Sequence, residues 1–478
     1  MEFNTFSYLV FLFSLLILKF ILPEKYKVLL LLAGSFVFIA CKNIESLIVL
    51  LSLASLNFYL ARKIALTEKK IKEFSFYLGI SINVISIFVF KYFEQHTKGT
   101  SLYVSSINFD AAGLVFALGL SFYALQNIAY LTEVYFNRLS GNISWLNYIF
   151  YSSFFPKLVS GPVVLPQEFF PQLNKSKVIQ SDLIIGFQRI ILGLFKKMVI
   201  ADRLAPYVNY NFDIYDSNYG ITSLVALYFF TFQLYFDFSG YTDIAIGSAK
   251  MLGFDLKENF KFSLRASSIT DFWRKWHISL TSWLTKYVFY PFAYKFRNLK
   301  LMGTILSIAI TFLISGLWHG LGITFFVYAL CHTFYLCIEY ITKNYRSRIS
   351  ILFPAKISHA LSIIITFNLI SFSLIFFRAN SFNKSIQILT SVFNFNRFFP
   401  PNWLNDFVAK LAIGGDLESL FNLIITLVFT FLILVFEKKI FRLFTLEKIQ
   451  WKQITCLIIL ILLFGVFKSR EQFIYVQF

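Results

Sequence analysis

The apolar run LMGTILSIAITFLI at residues 301–314 is followed directly by Ser315-Gly-Leu-Trp-His-Gly320. Such a run is typical of a membrane-spanning helix, and a histidine stands at its end. The preceding segment Asp271-Phe-Trp-Arg-Lys-Trp-His277 carries a second histidine beside a second tryptophan. Ionisable groups at membrane depth are energetically costly and usually functional. This stretch therefore predicts a helical membrane fold with a reaction site inside it.

The composition indicates an integral membrane protein. Of 478 residues, 57% are hydrophobic and only 14% are charged, whereas soluble domains are about one quarter charged. The apolar runs are continuous rather than alternating, and a helix satisfies its own backbone hydrogen bonds in lipid. At roughly 20 residues per crossing, we predict an all-α integral membrane protein with about 11–13 transmembrane helices.

Long apolar runs predict the helices of this fold. They lie at Thr5–Ile21, Tyr26–Ala40, Ser46–Leu60, Ser75–Phe90, Ala112–Tyr130, Leu183–Ile200, Ile221–Phe236, Leu301–Leu317, Ile323–Tyr340, Ile357–Phe377, Leu420–Val435 and Ile454–Phe467. Apolar sequence is interrupted by Pro156, Pro162, Pro166 and Pro171. Because broken backbone at membrane depth must line a cavity or be covered by protein, we predict a re-entrant segment near Phe155–Pro171.

The positive charge of the chain indicates membrane topology rather than nucleic acid binding. The net charge is +19, and Lys and Arg concentrate in short loops between apolar runs, which is the pattern of cytoplasmic loops. We therefore predict that the basic clusters at 62–72, 257–300, 343–348 and 438–452 face the cytoplasm. A basic inner rim also suits a polyanionic donor such as a coenzyme A thioester, although topology alone explains the charge equally well.

The segment Ile269–Tyr290 has the periodicity of an interfacial helix. One helical stripe contains Trp273, Trp276, Leu280, Trp283, Leu284 and Tyr287. We predict an amphipathic helix in the inner membrane interface, with this aromatic face toward the acyl chains. His277 falls beside the edge of the stripe, where it points either into a cavity or to the headgroups.

Short motifs occur in order along most of the chain. They are SFY (121–123), FFPKLVSGP (154–162), FPQL (170–173), FDFSGYTD (236–243), FWRKWH (272–277), GLWHG (316–320) and FFRA (376–379). Together they resemble the membrane-bound O-acyltransferase family, in its branch for bacterial polysaccharide O-acetylation. The chain departs from that pattern at Lys286, where the family often has an acidic residue, and at Pro291-Phe-Ala-Tyr294, where it often has Pro-Leu-Gly-Gly. These departures concern an inner loop and leave both histidines in place.

The resemblance implies an architecture. In the family the helices surround a central tunnel, with re-entrant and interfacial helices beside it. We accordingly expect one polytopic domain over 1–478. Its parts are N-terminal helices at 1–111, a catalytic core at 112–380 and C-terminal helices at 381–478.

The resemblance also implies site residues. His319 is expected to be catalytic, with His277 as the second catalytic position. Chemistry agrees, because a hydroxyl attacks a thioester only after a base takes its proton, and imidazole suits that task near neutral pH. The residues predicted to bind the donor are Arg274, Lys275, Trp276 and Trp318. The two basic residues among them either hold donor phosphates or extend to the interface. Acetyl-CoA is the expected donor, with no permanently bound cofactor and no metal.

Structural roles stay open for several polar residues. A membrane histidine also forms simple hydrogen bonds to a neighbouring helix. His277 is a structural, tunnel or donor-binding residue, and His332 is cavity-lining or structural. Asp237 and Asp243 flank a helix-weakening Ser-Gly pair. They either orient a histidine or bond exposed backbone, or they only ease the end of a helix. Arg378 ends an apolar run and is predicted to anchor the outer interface.

The expected function is transfer of an acetyl group across the bacterial inner membrane to a cell-envelope polysaccharide. Peptidoglycan is the expected acceptor, with alginate or another exopolysaccharide as the alternative. The resemblance implies a separate periplasmic esterase-like partner of the SGNH type, and the remaining partner is the lipid bilayer. The rival from another class is a proton-coupled transporter, because intramembrane histidines and aspartates also form proton relays. Transporters typically show paired, inverted halves, and no matching interruption is evident in the two halves here.

Overall fold

The computed structural model describes residues 1–97, 118–139, 142–174, 178–214, 220–394, 417–467 and 473–474. Within these ranges every regular element is a helix, which confirms the predicted all-α class. Contacts between Cα atoms divide the chain into two compact units. Unit 1 comprises Met1–Ile190 and Ile244–Lys257, and unit 2 comprises Ile191–Asp243 and Glu258–Phe478.

The α-helices are numbered in chain order. They are α1 (Phe6–Ile21), α2 (Glu24–Ala40), α3 (Ile44–Leu66), α4 (Lys69–Thr97), α5 (Leu120–Tyr135), α6 (Trp145–Ser153), α7 (Phe155–Leu158), α8 (Pro166–Phe169), α9 (Gln180–Phe195), α10 (Asp202–Asn209), α11 (Gly220–Met251), α12 (Ile269–Trp273), α13 (Ile278–Leu284), α14 (Tyr290–Lys295), α15 (Lys300–His319), α16 (Ile323–Ile341), α17 (Lys343–Ile351), α18 (Ala355–Arg378), α19 (Phe382–Phe393), α20 (Leu417–Phe444) and α21 (Trp451–Phe464). Three π-helical turns lie at Lys196–Ala201, Tyr210–Ile214 and Thr285–Phe289 in the described part. Short 3₁₀ turns lie at Phe170–Asn174, Ser263–Arg265 and Arg297–Leu299.

Several helices are suited to crossing a membrane. By length and composition, six helices of the described residues qualify. They lie at Ile44–Leu66, Lys69–Tyr92, Gly220–Met251, Arg297–His319, Ile323–Ile341 and Ala355–Arg378. Helices α1 and α21 are apolar but shorter. The chain is therefore a multi-pass membrane protein, as predicted, while the number of crossings, the central tunnel and the single-domain division stay predictions.

Each predicted apolar run coincides with a helix in the described residues, apart from the start of Ala112–Tyr130, which lies outside them. The predicted and observed helix ends differ most where polar residues continue a helix. The run predicted over Ile221–Phe236 extends through a polar motif to Met251 as α11. The helices α6 and α19 were not predicted, because each is short and partly polar.

Buried amides join the helices of unit 1. Asn83 Nδ2 donates to Asn57 Oδ1 at 2.7 Å, and Asn127 Nδ2 donates to Asn83 Oδ1 at 3.2 Å. The Tyr148 hydroxyl completes the series by donating to Asn127 Oδ1 at 2.7 Å. All four residues are buried. Because lipid gives helices little hydrophobic reason to associate, such interhelical bonds contribute to packing and register.

The predicted interruption between Phe155 and Pro171 is present in unit 1. Two single-turn helices, α7 and α8, flank irregular backbone there. This backbone is covered by protein, because Tyr151 donates to the carbonyl oxygen of Val164 at 2.8 Å and Lys157 donates to Gln126. The segment meets the expected condition that irregular backbone within a membrane protein be enclosed.

The predicted single amphipathic helix over Ile269–Tyr290 is wrong. The chain breaks after α12, and His277 has φ = 44° in the left-handed region before α13 begins. Hydrogen bonds to a neighbouring segment replace the helical ones: Lys261 N–H donates to the carbonyl of Lys275 at 2.9 Å, and Ile278 N–H donates to the carbonyl of Asn259 at 2.9 Å. Helical periodicity in the sequence does not reveal such competing hydrogen bonds.

The aromatic stripe also faces protein rather than acyl chains, which corrects the second part of that prediction. Trp273, Trp276 and Trp283 are all buried. The ring of Trp273 meets Phe312 of α15 at 5.2 Å, edge to face. Trp276 stacks on Phe272 at 5.3 Å and 19°. The amphipathic pattern therefore reports packing against the other helices of unit 2.

Helices α15 and α16 pack closely next to the site. Gly316 lies in the last turn of α15. A Cβ atom there would lie 2.8 Å from Cβ of Ala329 and 2.8 Å from the carbonyl oxygen of Phe325. Both neighbours belong to α16, and carbon atoms prefer separations of about 3.5–4.0 Å. The absence of a side chain at this position therefore allows the two helices to approach.

We expect Gly316→Ala to destabilise the protein by about 1–3 kcal/mol, the usual cost of overpacking. The measurement is the thermal unfolding midpoint of the purified protein in detergent. Gly322→Ala is the matched control, because the nearest atom to a Cβ at Gly322 is 3.6 Å away. Equal midpoints for the two variants would contradict the close approach of α15 and α16.

Candidate functional site

His319 is the last residue of α15 and is 4% exposed. Three aromatic rings surround its imidazole, and we name them the His319 cluster: Trp318 at 4.9 Å, Phe377 at 5.2 Å and Tyr328 at 6.3 Å between ring centroids. They come from α15, α18 and α16. This histidine therefore lies in an aromatic interior rather than on the surface that a lipid would contact.

His277 is held by an amide. Its Nδ1 is 3.2 Å from Oδ1 of Asn259, which also accepts from the backbone N–H of Ser279 at 3.1 Å and from the Ser279 hydroxyl at 2.9 Å. Because a backbone N–H only donates, the amide oxygen must be the accepting atom. The proton of a neutral His277 therefore lies on Nδ1, and Nε2 is its basic nitrogen.

His277 is 1% exposed, and its ring lies edge-on to Phe238 at 4.8 Å. Burial lowers the pKa of this imidazole to about 3, because removing water disfavours the charged form. The folded protein therefore keeps His277 neutral over the physiological range, ready to accept a hydrogen bond rather than to carry charge.

Trp318 connects the two predicted catalytic positions. Its ring is 6.3 Å from that of His277 and 4.9 Å from that of His319. Both histidines belong to unit 2. The structure thus brings together residues that are 42 positions apart in the chain around one indole.

His332 has the hydrogen-bond pattern of a structural residue. The indole Nε1–H of Trp273 donates to His332 Nδ1 at 3.3 Å, which places the ring proton on Nε2. That Nε2 is 3.1 Å from the hydroxyl of Ser373, which itself donates to the carbonyl of Ile370 at 2.7 Å. Donors and acceptors alternate along the whole chain of bonds. We interpret His332 as a link among α12, α16 and α18, which favours the structural alternative.

The predicted donor-binding residues fall in different environments. Arg274 is exposed, and Lys275 Nζ forms an ion pair with Asp271 Oδ2 at 2.7 Å. Trp276 is buried, and Trp318 belongs to the His319 cluster. The two cations are therefore at least partly exposed whereas the two indoles are buried, and the donor-binding role of all four residues stays a prediction.

A cavity adjoins the His319 cluster. Its volume is about 10 Å³, and it is lined mainly by apolar side chains. Tyr328 and Phe377 of the His319 cluster form part of its wall, and Trp276 forms another part. A volume of this size is close to that needed by one water molecule, so the cavity is a small gap in the packing beside the His319 cluster.

The two aspartates of the FDFSGYTD motif pair with lysines. Lys196 Nζ is 2.7 Å from Asp243, and Lys197 Nζ is 2.7 Å from Asp237. Both lysines belong to the π-helical turn after α9. Of the roles considered from the sequence, bonding to backbone is present at Asp237, which also accepts from the backbone N–H of Ile474. The Lys-Lys pair inside an apolar run was the available signal for these partners, because buried cations require counter-ions.

Residues 473 and 474 also contact the ion pair formed by Lys197 and Asp237. The backbone N–H of Ile474 donates to Asp237 Oδ2 at 2.8 Å. The ring of Phe473 is 4.4 Å from Lys197 Nζ and 4.9 Å from the ring of Tyr241. Sequence reasoning did not place these residues, because a contact across more than two hundred residues has no local pattern.

Arg378 forms a specific contact in addition to ending α18. Its guanidinium is bidentate to Asp213, at 2.9 and 2.5 Å, and donates to Asn209 Oδ1 at 2.8 Å. The adjacent residue, Phe377, belongs to the His319 cluster. Bidentate arginine–carboxylate pairs fix orientation as well as distance, so Arg378 joins the end of α18 to the turn after α10.

Comparisons with known proteins identify relatives of this chain. The profile of the membrane-bound O-acyltransferase family matches residues 137–379, a range that includes both histidines. The chain is similar to a peptidoglycan O-acetyltransferase of Helicobacter pylori, with 32% identity over 77% of this chain and 74% of the relative. It is similar to a probable alginate O-acetylase of Azotobacter vinelandii, with 30% identity over 82% of this chain and 77% of the relative. A teichoic acid D-alanyltransferase of Bacillus subtilis is 26% identical over 56% of this chain and 70% of the relative.

The low pKa of His277 predicts a pH dependence of stability. Its pKa is about 3 when folded, against 6.5 for an ordinary histidine. Between these values the unfolded chain binds a proton that the folded protein excludes, so this contribution is fully present above about pH 6.5 and is lost as the pH falls. As the pH falls, we expect His277→Asn to lose less unfolding free energy than the native protein, by up to about 1.4 kcal/mol per pH unit.

The measurement is the thermal unfolding midpoint in detergent from about pH 7 to about pH 5, a range that covers the titration of an ordinary histidine. Asparagine tolerates the left-handed backbone of this position. His359→Asn is the control, because His359 is exposed. If the native protein and His277→Asn lose stability in parallel, His277 is not held neutral by burial.

Proposed function

The chain belongs to the membrane-bound O-acyltransferase family, and we propose that it moves an acetyl group from acetyl-CoA, at the cytoplasmic face of the bacterial inner membrane, to peptidoglycan outside. That the chain is an acyltransferase follows from the family and from relatives named for O-acetyl transfer. The donor, the direction and the acceptor belong to the proposal. Its main support is the position of His319, buried among aromatic rings at the end of α15.

In the proposed reaction His319 is the general base. It takes the proton of the acceptor hydroxyl, the hydroxyl oxygen attacks the thioester carbonyl, and the carbon–sulfur bond breaks as the new ester bond is complete. The leaving thiolate then receives the proton from the imidazolium, so that atoms and charge balance. General bases of this kind typically contribute about 10²–10⁴-fold in rate. The aromatic surroundings favour transfer to the acceptor over hydrolysis because they exclude water.

His277 supports this step through Nε2. The bond from its Nδ1 to Asn259 fixes the ring and assigns the basic lone pair to Nε2. We propose that this nitrogen accepts a hydrogen bond from the reacting molecules and orients them. A fixed ring holds the reacting molecules in the correct orientation, so less entropy is lost when the transition state forms.

Arg274, Lys275 and Trp276 are proposed to hold the donor. Phosphate groups of coenzyme A form charge-assisted hydrogen bonds with arginine and lysine. Lys275 is paired with Asp271, so the phosphate would compete for that ammonium. Trp276 and Trp318 form the wall between the donor and the catalytic histidines in this scheme.

Peptidoglycan is proposed as the final acceptor because the relative named as a peptidoglycan O-acetyltransferase shares 32% identity with the chain. Relatives named for alginate make that polymer the alternative. A periplasmic SGNH-type esterase-like protein is proposed to complete the transfer to the sugar. Ester content of purified peptidoglycan and of secreted polysaccharide, each released with base, separates the two acceptors.

We predict that His319→Ala lowers the polysaccharide-bound acetyl ester by about 10²-fold or more, because it removes the general base. The measurement is acetate released by base from isolated envelope polysaccharide, in cells with equal amounts of membrane protein. His359→Ala is the control, an exposed histidine outside the site. Normal ester content in His319→Ala cells would refute the catalytic assignment.

A transporter mechanism requires a sealed membrane, whereas acyl transfer does not. The detergent-solubilised protein, supplied with partner and acceptor, is therefore expected to transfer labelled acetyl from acetyl-CoA. Transfer that occurs only in sealed vesicles would instead support transport as the primary activity.

A further inference from the structure

The carboxylate of Glu339, on α16, lies at the start of α12. Its Oε2 accepts the backbone N–H of Ile269 at 2.7 Å and that of Thr270 at 3.2 Å. These are the first two residues of α12, and the first N–H groups of an α-helix have no partner within the helix. Glu339 therefore supplies, from another helix, the acceptor that the start of α12 needs.

The rest of the first turn of α12 is satisfied locally. The hydroxyl oxygen of Ser268 accepts the N–H of Asp271 at 3.1 Å, and the carbonyl oxygen of Ser268 accepts the N–H of Phe272 at 2.9 Å. The two N–H groups bound by Glu339 are thus the part of this turn that depends on a residue about 70 positions away.

Helix α16 holds α12 at both ends. The indole of Trp273, the last residue of α12, donates to His332 of α16, and Glu339 binds the first two residues. The seven positions from His332 to Glu339 are two helical turns, about 10 Å along one face of α16. The five residues of α12 extend over about 7–8 Å, so the two contact points match the two ends of this short helix.

These external contacts determine where α12 lies. Isolated helices shorter than about 12–15 residues are marginal in water, and α12 has five residues. Hydrogen bonds from an ionised acceptor are stronger than neutral ones. The carboxylate of Glu339 and the imidazole of His332 therefore fix the position and the rotation of α12 against α16.

The position of α12 in turn determines that of the residues before His277. The ring of Trp276 stacks on that of Phe272 in α12, with 5.3 Å between the centroids and 19° between the planes. The backbone N–H of Trp276 also donates to the carbonyl of Phe272 at 2.8 Å. Because His277 follows Trp276 directly, a displacement of α12 would also move the imidazole.

We propose that Glu339 is a positioning residue, which holds α12 so that His277 is oriented for acyl transfer. Its kinetic effect rests on the proposed role of His277. In this scheme Glu339 exchanges no proton with the reacting molecules. It accepts two backbone hydrogen bonds and thereby fixes the segment on which the orientation of His277 depends.

An ion pair with Arg346 is the alternative role of this carboxylate. Arg346 Nη2 is 3.9 Å from Glu339 Oε1, and it donates to the backbone carbonyl of Glu339 at 2.8 Å. Arg346 is exposed, and exposed ion pairs contribute little to stability. The shorter contacts of the carboxylate are those to α12, which favours the positioning role.

Glu339→Ala and Glu339→Gln test the two hydrogen bonds. Alanine removes the acceptor, whereas the amide oxygen of glutamine still accepts from the start of α12. With saturating acetyl-CoA, partner and acceptor in detergent, we expect kcat to fall about 10–100-fold in Glu339→Ala, as for a displacement of about 1 Å. In Glu339→Gln we expect kcat within about threefold of the native value.

Two control variants should keep the native kcat. Arg346→Ala removes the ion pair, and Ser381→Ala removes the side-chain acceptor of the Lys384 N–H at the start of α19, another helix of unit 2. A native kcat in Glu339→Ala, or an equal loss in Arg346→Ala, would overturn the proposal.

A double variant tests whether Glu339 acts through His277. In the His277→Asn background, we expect Glu339→Ala to lower kcat by less than about twofold, because residues that act in series are not additive. A further loss as large as that in the native background would show that Glu339 acts elsewhere.

Chemical modification tests the displacement without any turnover. Diethyl pyrocarbonate modifies accessible imidazoles, and mass spectrometry of peptides measures each histidine separately. His277 is 1% exposed and His319 is 4% exposed. We expect modification of His277 to become about tenfold faster in Glu339→Ala, through local opening, and to stay slow in Glu339→Gln. His319 and the exposed His359 should react at native rates in both variants.

This measurement separates the positioning role from the proposed function. Unchanged modification of His277 in Glu339→Ala, or an equal increase at His319, would overturn the positioning role even in an active acetyltransferase. The expected pattern in a protein that transfers no acetyl group from acetyl-CoA would instead overturn the proposed function and leave the positioning of His277 by Glu339 in place.

Discussion

The ammonium of Lys197 is shared between Asp202 at 2.8 Å and Asp237 at 2.7 Å, and the residue is only 1% exposed. A buried charge of this kind persists only when it is paired, and removing one partner is strongly destabilising. This interaction joins the π-helical turn at Lys196–Ala201 to α11. The residue after Asp237 is Phe238, whose ring packs against His277. The ion pairing therefore fixes the helical segment of α11 whose next residue packs against His277.

Buried polar groups without charge need partners as well, and this need explains the other polar contacts of the interior. In unit 1, hydrogen bonds between buried asparagine side chains join α3, α4 and α5. In unit 2 the bonds from Trp273 through His332 to Ser373 join three helices. Lipid supplies no hydrogen bonds, so each buried polar group must find its partner within the protein.

The sequence was sufficient for elements that depend on local pattern. Helix α15 was predicted over Leu301–Leu317 and extends from Lys300 to His319, because a continuous apolar run has few alternatives in a membrane. The region around His277 was not predictable in the same way. Its break arises from hydrogen bonds to residues 259–261, and the pairing of Lys196 with Asp243 spans 47 positions. Such choices depend on which distant groups meet, and helical periodicity contains no information about that.

His277 adopts φ = 44° and ψ = 51°, a conformation that glycine or asparagine occupies more easily than histidine. For an L-residue with a side chain, this conformation costs about 1–2 kcal/mol. Histidine, like asparagine and aspartate, is nevertheless enriched among the non-glycine residues that adopt this conformation. The chain carries an imidazole here, and the contact between its Nδ1 and Oδ1 of Asn259 ties the side chain to the segment that replaces the helical hydrogen bonds at this turn.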